Sequence, residues 1–182
     1  MTISTTPLTL TINGEQVGPI DVPDTLMMVD FLHEYLGLTG SRFGCGIGVC
    51  HACTVLLDGP DGAEEIRSCI TGAHFFNGKR IRTIEGLAER DAQRRVIAIT
   101  PIQQAYLDHY SFQCGYCTPG FVIGATALME RLKAHPVRAG ELEETITEFL
   151  GRHICRCTGY VRYFEAAKAT ILATPGLVIK EN

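Results

Sequence analysis

Phe43-Gly44-Cys45-Gly46-Ile47-Gly48-Val49-Cys50-His51-Ala52-Cys53 puts three thiols on one short loop in C-x4-C-x2-C spacing, and Cys69 follows after fifteen intervening residues. That spacing is the plant-type [2Fe–2S] ligand pattern. A four-thiolate cluster carries formal charge 2−, which is costly to bury unless hydrogen-bond donors surround it. Glycines at 44, 46 and 48 let the backbone curl and turn successive N–H groups toward the sulfurs. Phe43, Ile47 and Val49 are expected to cover the site and exclude water. A [4Fe–4S] site usually shows C-x2-C-x2-C, so the longer first gap favours the smaller cluster. Zinc sites pair their cysteines two to four residues apart with a second such pair later, which this triplet plus a lone Cys69 does not do. No Rieske pair or haem-attachment motif is present. The Gly-x-Gly-x-Gly run carries ligands and is not a dinucleotide loop.

The remainder of the chain narrows the class. Over 182 residues the apolar share is 46% and the net charge is −4, which fits a globular core-forming protein and gives no basic face for nucleic acid. The first residues, Met1-Thr2-Ile3-Ser4-Thr5-Thr6-Pro7, lack a charged n-region and an apolar h-region, so no signal peptide is expected. The longest mostly apolar run, Phe121 to Met129, is too short for a bilayer, and no direct membrane insertion is expected. Eight cysteines in such a chain read as metal ligands rather than disulfides.

In residues 1–86 the pattern is mixed. Leu8, Leu10 and Ile12 alternate with polar residues as in a half-buried strand. Asn13-Gly14 signals a tight hairpin turn, returning a strand over 15–22. Asp24 or Thr25 can cap a helix with Leu26, Val29, Leu32 and Leu36 on one face, ended by Gly37. Strands over 54–57, 65–70 and 80–84, with a turn cluster over 58–62, complete a small sheet crossed by one helix. In residues 87–182 the period is helical, predicting helices over 91–110, 119–134, 142–151 and 164–173 and a compact four-helix bundle. Pro119 fits a first turn and Pro136 closes the second helix. The fold class is therefore α+β followed by all-α, with the boundary near 85–91.

The helical part holds a second constellation, Phe112-Gln113-Cys114-Gly115-Tyr116-Cys117-Thr118-Pro119-Gly120 with His153-Ile154-Cys155-Arg156-Cys157-Thr158-Gly159-Tyr160. Each pair of cysteines precedes a helix start, so free N–H groups and positive dipole ends face one anionic site. Two facing loops giving two thiols each complete a four-thiolate centre. No βαβ pattern supports a thioredoxin-like CxxC, whereas zinc remains open by spacing alone.

Together these motifs resemble the iron–sulfur (small) subunit of the xanthine oxidase and aldehyde oxidoreductase family of molybdenum hydroxylases, over nearly the whole chain. The residues carrying the likeness are Gly44-Cys45-Gly46, Gly48, Cys50, Ala52-Cys53-Thr54-Val55, Gln113 through Gly120, and Cys155 through Tyr160. The resemblance implies a β-grasp, plant-type ferredoxin-like domain over 1–86 and a helical [2Fe–2S]-binding domain over 87–182. It implies that Cys45, Cys50, Cys53 and Cys69 hold an outer [2Fe–2S] cluster and that Cys114, Cys117, Cys155 and Cys157 hold an inner one, using all eight thiols. It further implies that Gln113 reaches the pterin of a molybdenum cofactor on a separate large subunit, with Cys157 the ligand nearest to it. No flavin or Rossmann signature is present here. The implied function is an electron-transfer subunit of a heteromeric enzyme oxidising an aldehyde or an N-heterocycle, with aldehyde preferred. Electrons would leave to a flavin subunit or a c-type cytochrome, and no side chain of this chain would act as general acid, base or nucleophile. The alternatives are a stand-alone ferredoxin-like carrier and a zinc-stabilised interaction module. Lack of a leader implies the cytoplasm, the alternative being co-export with a partner bearing a twin-arginine signal.

Two positions depart from that family's pattern. His51 stands where a small Gly is common, and is expected to be either a solvated side chain or a contact for an electron acceptor. The long Cys53–Cys69 gap, with Asp58 to Ala63, is expected to be an extended hairpin tip. Arg152, Arg156 and Arg162 flank the CxC loop and could offset cluster charge, contact the large subunit or form surface ion pairs. His33, His74, His109 and His135 show no ligand spacing and read as structural.

Overall fold

Residues 4–60, 62–93 and 95–179 are described by the computed structural model. The apolar alternation at the N-terminus folds as a hairpin of β1 (Thr5–Ile12) and β2 (Glu15–Pro23), with Asn13 and Gly14 both at positive φ as the two-residue turn demands. Three further strands, β3 (Thr54–Gly59), β4 (Gly62–Arg67) and β5 (Arg80–Arg82), join it in the order β2-β1-β5-β3-β4. Within this sheet the β1–β5 pairing is parallel and the others antiparallel. Leu8, Leu10, Ile12, Val55 and Ile81 point to one face and pack on Met28, Phe31, Leu32 and Phe76. β3 runs two residues further than expected and β4 lies three residues earlier than predicted: Gly59 pairs with Gly62, so the hairpin is closer-turned than expected, and Asp61 of the predicted turn lies outside the described residues.

The crossing helix is shorter than its apolar spacing predicts. It is one turn, α1 (Met28–Asp30), continued by a π-helical stretch over Phe31–Tyr35. Asp24 does not cap it. Its carboxylate accepts from Thr6 Oγ1 at 2.7 Å, and Met27 is extended and bridges to Gly72. The N–H groups of Met28 and Val29 donate to the carbonyls of Thr71 and Ser68. Helix start is thus given over to holding the Cys69 loop. Gly37, at φ +66°, follows the last turn as expected.

The second part begins with a correction. Residues 91–110 are not one helix. Glu89–Arg90 (β6) and Val96–Ala98 (β7) pair as a short hairpin, Arg94 lying outside the described residues, and α2 runs only from Pro101 to Asp108. Thr100 and Gln103 form a full capping box ahead of Pro101, which fits a first turn but no helix interior. α3 (Thr118–Ala134), α4 (Leu142–Leu150) and α5 (Val161–Ala173) follow, and β8 (Val137–Arg138) pairs with β9 (Val178–Ile179). α5 starts three residues earlier than predicted. The helices share a core of Ile102, Tyr106, Phe121, Leu128, Ile146 and Tyr163, in which Phe121 stacks flat on Tyr163 at 4.1 Å and Tyr106 meets the same ring edge-on.

α3 also packs back on the sheet. Ile123 and Ala127 bury against Leu56 of β3. Beside this seam Arg82 of β5 donates two bonds to Glu130 of α3, at 2.8 and 2.9 Å, and one to Asp58 at 2.8 Å. The effect is to bring the two cysteine-bearing regions together along one face of α3.

Candidate metal centres

The first four thiols meet between the loop over 44–53 and the turn after β4. Cys53 and Cys69 are buried, and Cys45 and Cys50 are partly so. Contacts divide the set in two: Cys45 with Cys50, and Cys53 with Cys69. Burial would raise the Cys45 thiol, but the N–H groups of Ile47, Val49 and Cys50 bring it down to about 6. Burial and the neighbouring Cys53 instead push Cys69 up to about 11. A Cβ on Gly44 would sit 3.2 Å from Cys50 Sγ, and Gly46 and Gly48 are at positive φ, so the N–H cradle requires these glycines. Phe43, Ile47 and Val49 do not cover the site. They are 50%, 69% and 53% exposed, because a loop that aims its N–H groups inward turns its side chains outward.

The second four thiols also form pairs. Cys114 and Cys157 lie 3.6 Å apart, sulfur to sulfur, and Cys117 contacts Cys155. With metal–sulfur bonds of about 2.3 Å, two thiolates on one tetrahedral metal stand about 3.7 Å apart. The Cys114–Cys157 distance therefore fits two thiolates on one metal ion, and the pairing of the other thiols suits two metal ions per set. Cys117 is the N-cap of α3. Burial raises it to about 12, while the Tyr163 hydroxyl, 3.7 Å from its sulfur, opposes the shift. Cys155 is lowered despite burial, since the Thr158 hydroxyl lies 3.0 Å from its sulfur and the Thr158 and Cys157 N–H groups are aimed at it. Donor sets and N–H cradles suit [2Fe–2S] clusters at both places.

The two sets are tied to each other. Ile154 N–H donates to the Cys50 carbonyl at 3.1 Å, and Tyr116 Oη donates to the Phe43 carbonyl at 2.7 Å. Their exposure differs. In the second set Cys114 and Cys157 are exposed, and so is Gln113 beside them. Arg152, Arg156 and Arg162 are exposed and make no ion pair among the described residues, Arg152 lying over the Phe149 ring at 5.9 Å.

Both expectations for His51 are overturned. It is 6% exposed, so it is neither solvated nor open to an acceptor. At φ +58° its side chain is turned inward, toward Glu65 of β4 and Arg67. His153, 1% exposed, reaches the same carboxylate from the other side. Burial would raise Glu65, but the His153 and His51 imidazoles facing it hold it down at about 2, so it is ionised. Reading the sequence missed this grouping: the three residues lie far apart in the chain, and only the unusual His51 gave a signal.

A protein with two such four-thiol sites in a ferredoxin-like sheet and a helical domain is a two-cluster iron–sulfur protein. Residues 10–74 match the 2Fe-2S iron-sulfur cluster binding domain family, and residues 83–168 match the [2Fe-2S] binding domain family. The nicotine 6-hydroxylase small subunit of Paenarthrobacter nicotinovorans is 38% identical over 172 residues, covering 94% of this chain and 90% of that one. The gamma subunit of caffeine dehydrogenase from Pseudomonas sp. (strain CBB1) is 35% identical over 162 residues, covering 89% of each chain. The crystal structure of quinoline 2-oxidoreductase from Pseudomonas putida 86 superposes with TM-score 0.75 at 31% identity, covering 95% of this chain and 93% of that chain. The chain belongs to the family of [2Fe–2S] small subunits of molybdenum hydroxylases, and as such is part of an oxidoreductase complex. No helix among the described residues is long and apolar enough to cross a membrane.

Proposed function

We propose that this chain relays electrons within a heteromeric molybdenum hydroxylase, with Cys45, Cys50, Cys53 and Cys69 holding one [2Fe–2S] cluster and Cys114, Cys117, Cys155 and Cys157 the other. When bound, the clusters supply one-electron steps between a molybdopterin in the large partner chain and a flavin or cytochrome acceptor. The observation that carries the reading is the asymmetry between the two sets. The second opens to the surface at Cys114 and Cys157 beside Gln113, while the first backs onto it through the Ile154–Cys50 hydrogen bond. Gln113 would then meet the pterin of the large subunit, Cys157 being the ligand nearest to it. Around the first set Phe43, Ile47, Val49 and Ile70 leave an apolar rim, which suits an acceptor protein. The chain divides functionally at residue 86, and the four helices beyond it act as a bundle that fixes both loops of the second set.

Nicotine, caffeine and quinoline, the compounds in those three relatives' names, are all N-heterocycles, so that substrate class is favoured over aldehydes. Anaerobic addition of candidate N-heterocycles and aldehydes to the purified complex tests this. Bleaching of the iron–sulfur visible bands by the heterocycles supports it; bleaching by aldehydes alone opposes it.

A further inference from the structure

The Glu65 carboxylate stands between the two thiol sets and has no part in either. His153 Nε2 lies 3.4 Å from its Oε1, and His51 Nδ1 lies 3.6 Å from its Oε2. His51 follows Cys50, and His153 precedes Cys155 by two residues. The two rings meet edge to face at 5.0 Å, and Phe121 closes the site at 5.2 Å from His153. Two glycines of α3 make the room. A Cβ on Gly120 would fall 2.4 Å from the His51 carbonyl oxygen, and one on Gly124 would fall 2.4 Å from His153 Nε2.

Two histidines and a glutamate within 4.8 Å are also a zinc-type donor set. The outer ring nitrogens decide against that. A metal-bound imidazole normally donates its other N–H to an acceptor. His51 Nε2 instead lies 3.5 Å from Arg67 Nη1, which can only donate, and His153 Nδ1 is buried with no hydrogen-bond partner among the described residues. Protons on His51 Nδ1 and His153 Nε2 suit the contacts: Arg67 faces His51 Nε2 as a donor, His153 donates to the carboxylate at 3.4 Å, and His51 Nδ1 faces it at 3.6 Å, beyond hydrogen-bond distance.

We propose that Glu65 is a positioning residue that clamps the His51 loop to the His153 loop and so fixes the separation and orientation of the two clusters. The inference rests on the ligand reading given above. A largely buried carboxylate with His153 within hydrogen-bond distance of one oxygen and His51 facing the other at 3.6 Å suits this role, because both loops lean on the one group.

The test is EPR of the dithionite-reduced holo complex, read for the magnetic interaction between the two reduced clusters. That interaction falls steeply with distance and reports the geometry between them. Glu65→Gln and His153→Asn are compared with Glu130→Ala, which weakens the contact between sheet and helices away from the clamp. The expected result is loss or broadening of the intercluster splitting in Glu65→Gln and His153→Asn, with both cluster signals retained and the splitting of Glu130→Ala unchanged. Unaltered splitting in Glu65→Gln, or equal change in Glu130→Ala, would overturn the clamp. Stoichiometric zinc that Glu65→Gln removes would replace it with a metal site. Two cluster signals absent from the unmutated complex would sink the ligand reading itself, and the clamp with it.

Discussion

Ile154 N–H donates to the carbonyl of Cys50 at 3.1 Å, so one hydrogen bond joins a residue of the first thiol set to the neighbour of Cys155 in the second. The peptide framework thus connects the two sites without an intervening side chain. Each set nevertheless has its own loops and its own N–H cradle, Cys155 packing in the helical core and Cys53 and Cys69 beside Val29.

That separation predicts independent cluster loss. Cys155→Ala removes one member of the Cys117–Cys155 pair. Reduced protein carrying it is expected to lose one [2Fe–2S] EPR signal and keep the other. Loss of both signals would mean that neither region holds its cluster without the other.

A Cβ on Gly124 would fall 2.4 Å from His153 Nε2 and 2.8 Å from Glu65 Oε1, so Gly124→Ala must displace His153 or Glu65. Overpacking of this kind costs about 1–3 kcal/mol. Gly140 has nothing within 4 Å of its added Cβ and no positive φ, so Gly140→Ala is expected to change stability by less than about 0.5 kcal/mol. Urea unfolding of both variants checks the contrast.

The Arg82 guanidinium is shared by Asp58 and Glu130, and these partners raise its pKa above the ordinary value. The three side chains are only about a quarter exposed. Glu130→Ala is expected to destabilise the protein by about 2 kcal/mol, the scale of hydrogen bonds to a charged group. Thermal unfolding at low and high salt measures it. A variant as stable as the parent would mean that the pair is as weak as an exposed one.

How much of this was legible follows from which signals were local. The C-x4-C-x2-C loop, the Asn13-Gly14 turn and the Pro119 helix start are short-range patterns, and each was readable residue by residue. The long helix expected over 91–110 was not found, because pairing of Val96–Ala98 with Glu89–Arg90 overrides an approximate helical period. The Thr100-Pro101-x-Gln103 capping box marks the true start of α2. α1 was over-read for a different reason: its first turn yields to long-range bonds with Ser68 and Thr71. His51 is buried by residues distant in the chain, Glu65, Arg67 and His153, which no local pattern signals.

Gln113 is exposed and carries no packing role, so Gln113→Ala is expected to leave both clusters and the stability of the chain intact. In the assembled enzyme the same change is expected to slow reduction of the clusters by substrate. Stopped-flow reduction of the complex checks this, and an unchanged rate would remove Gln113 from the pterin contact.

The central claim is that eight thiols hold two [2Fe–2S] clusters. Iron analysis with EPR of the dithionite-reduced protein tests it most directly. The account predicts about four iron atoms per chain and two distinguishable [2Fe–2S] signals. A colourless protein containing zinc, or iron sufficient for only one signal, would contradict it.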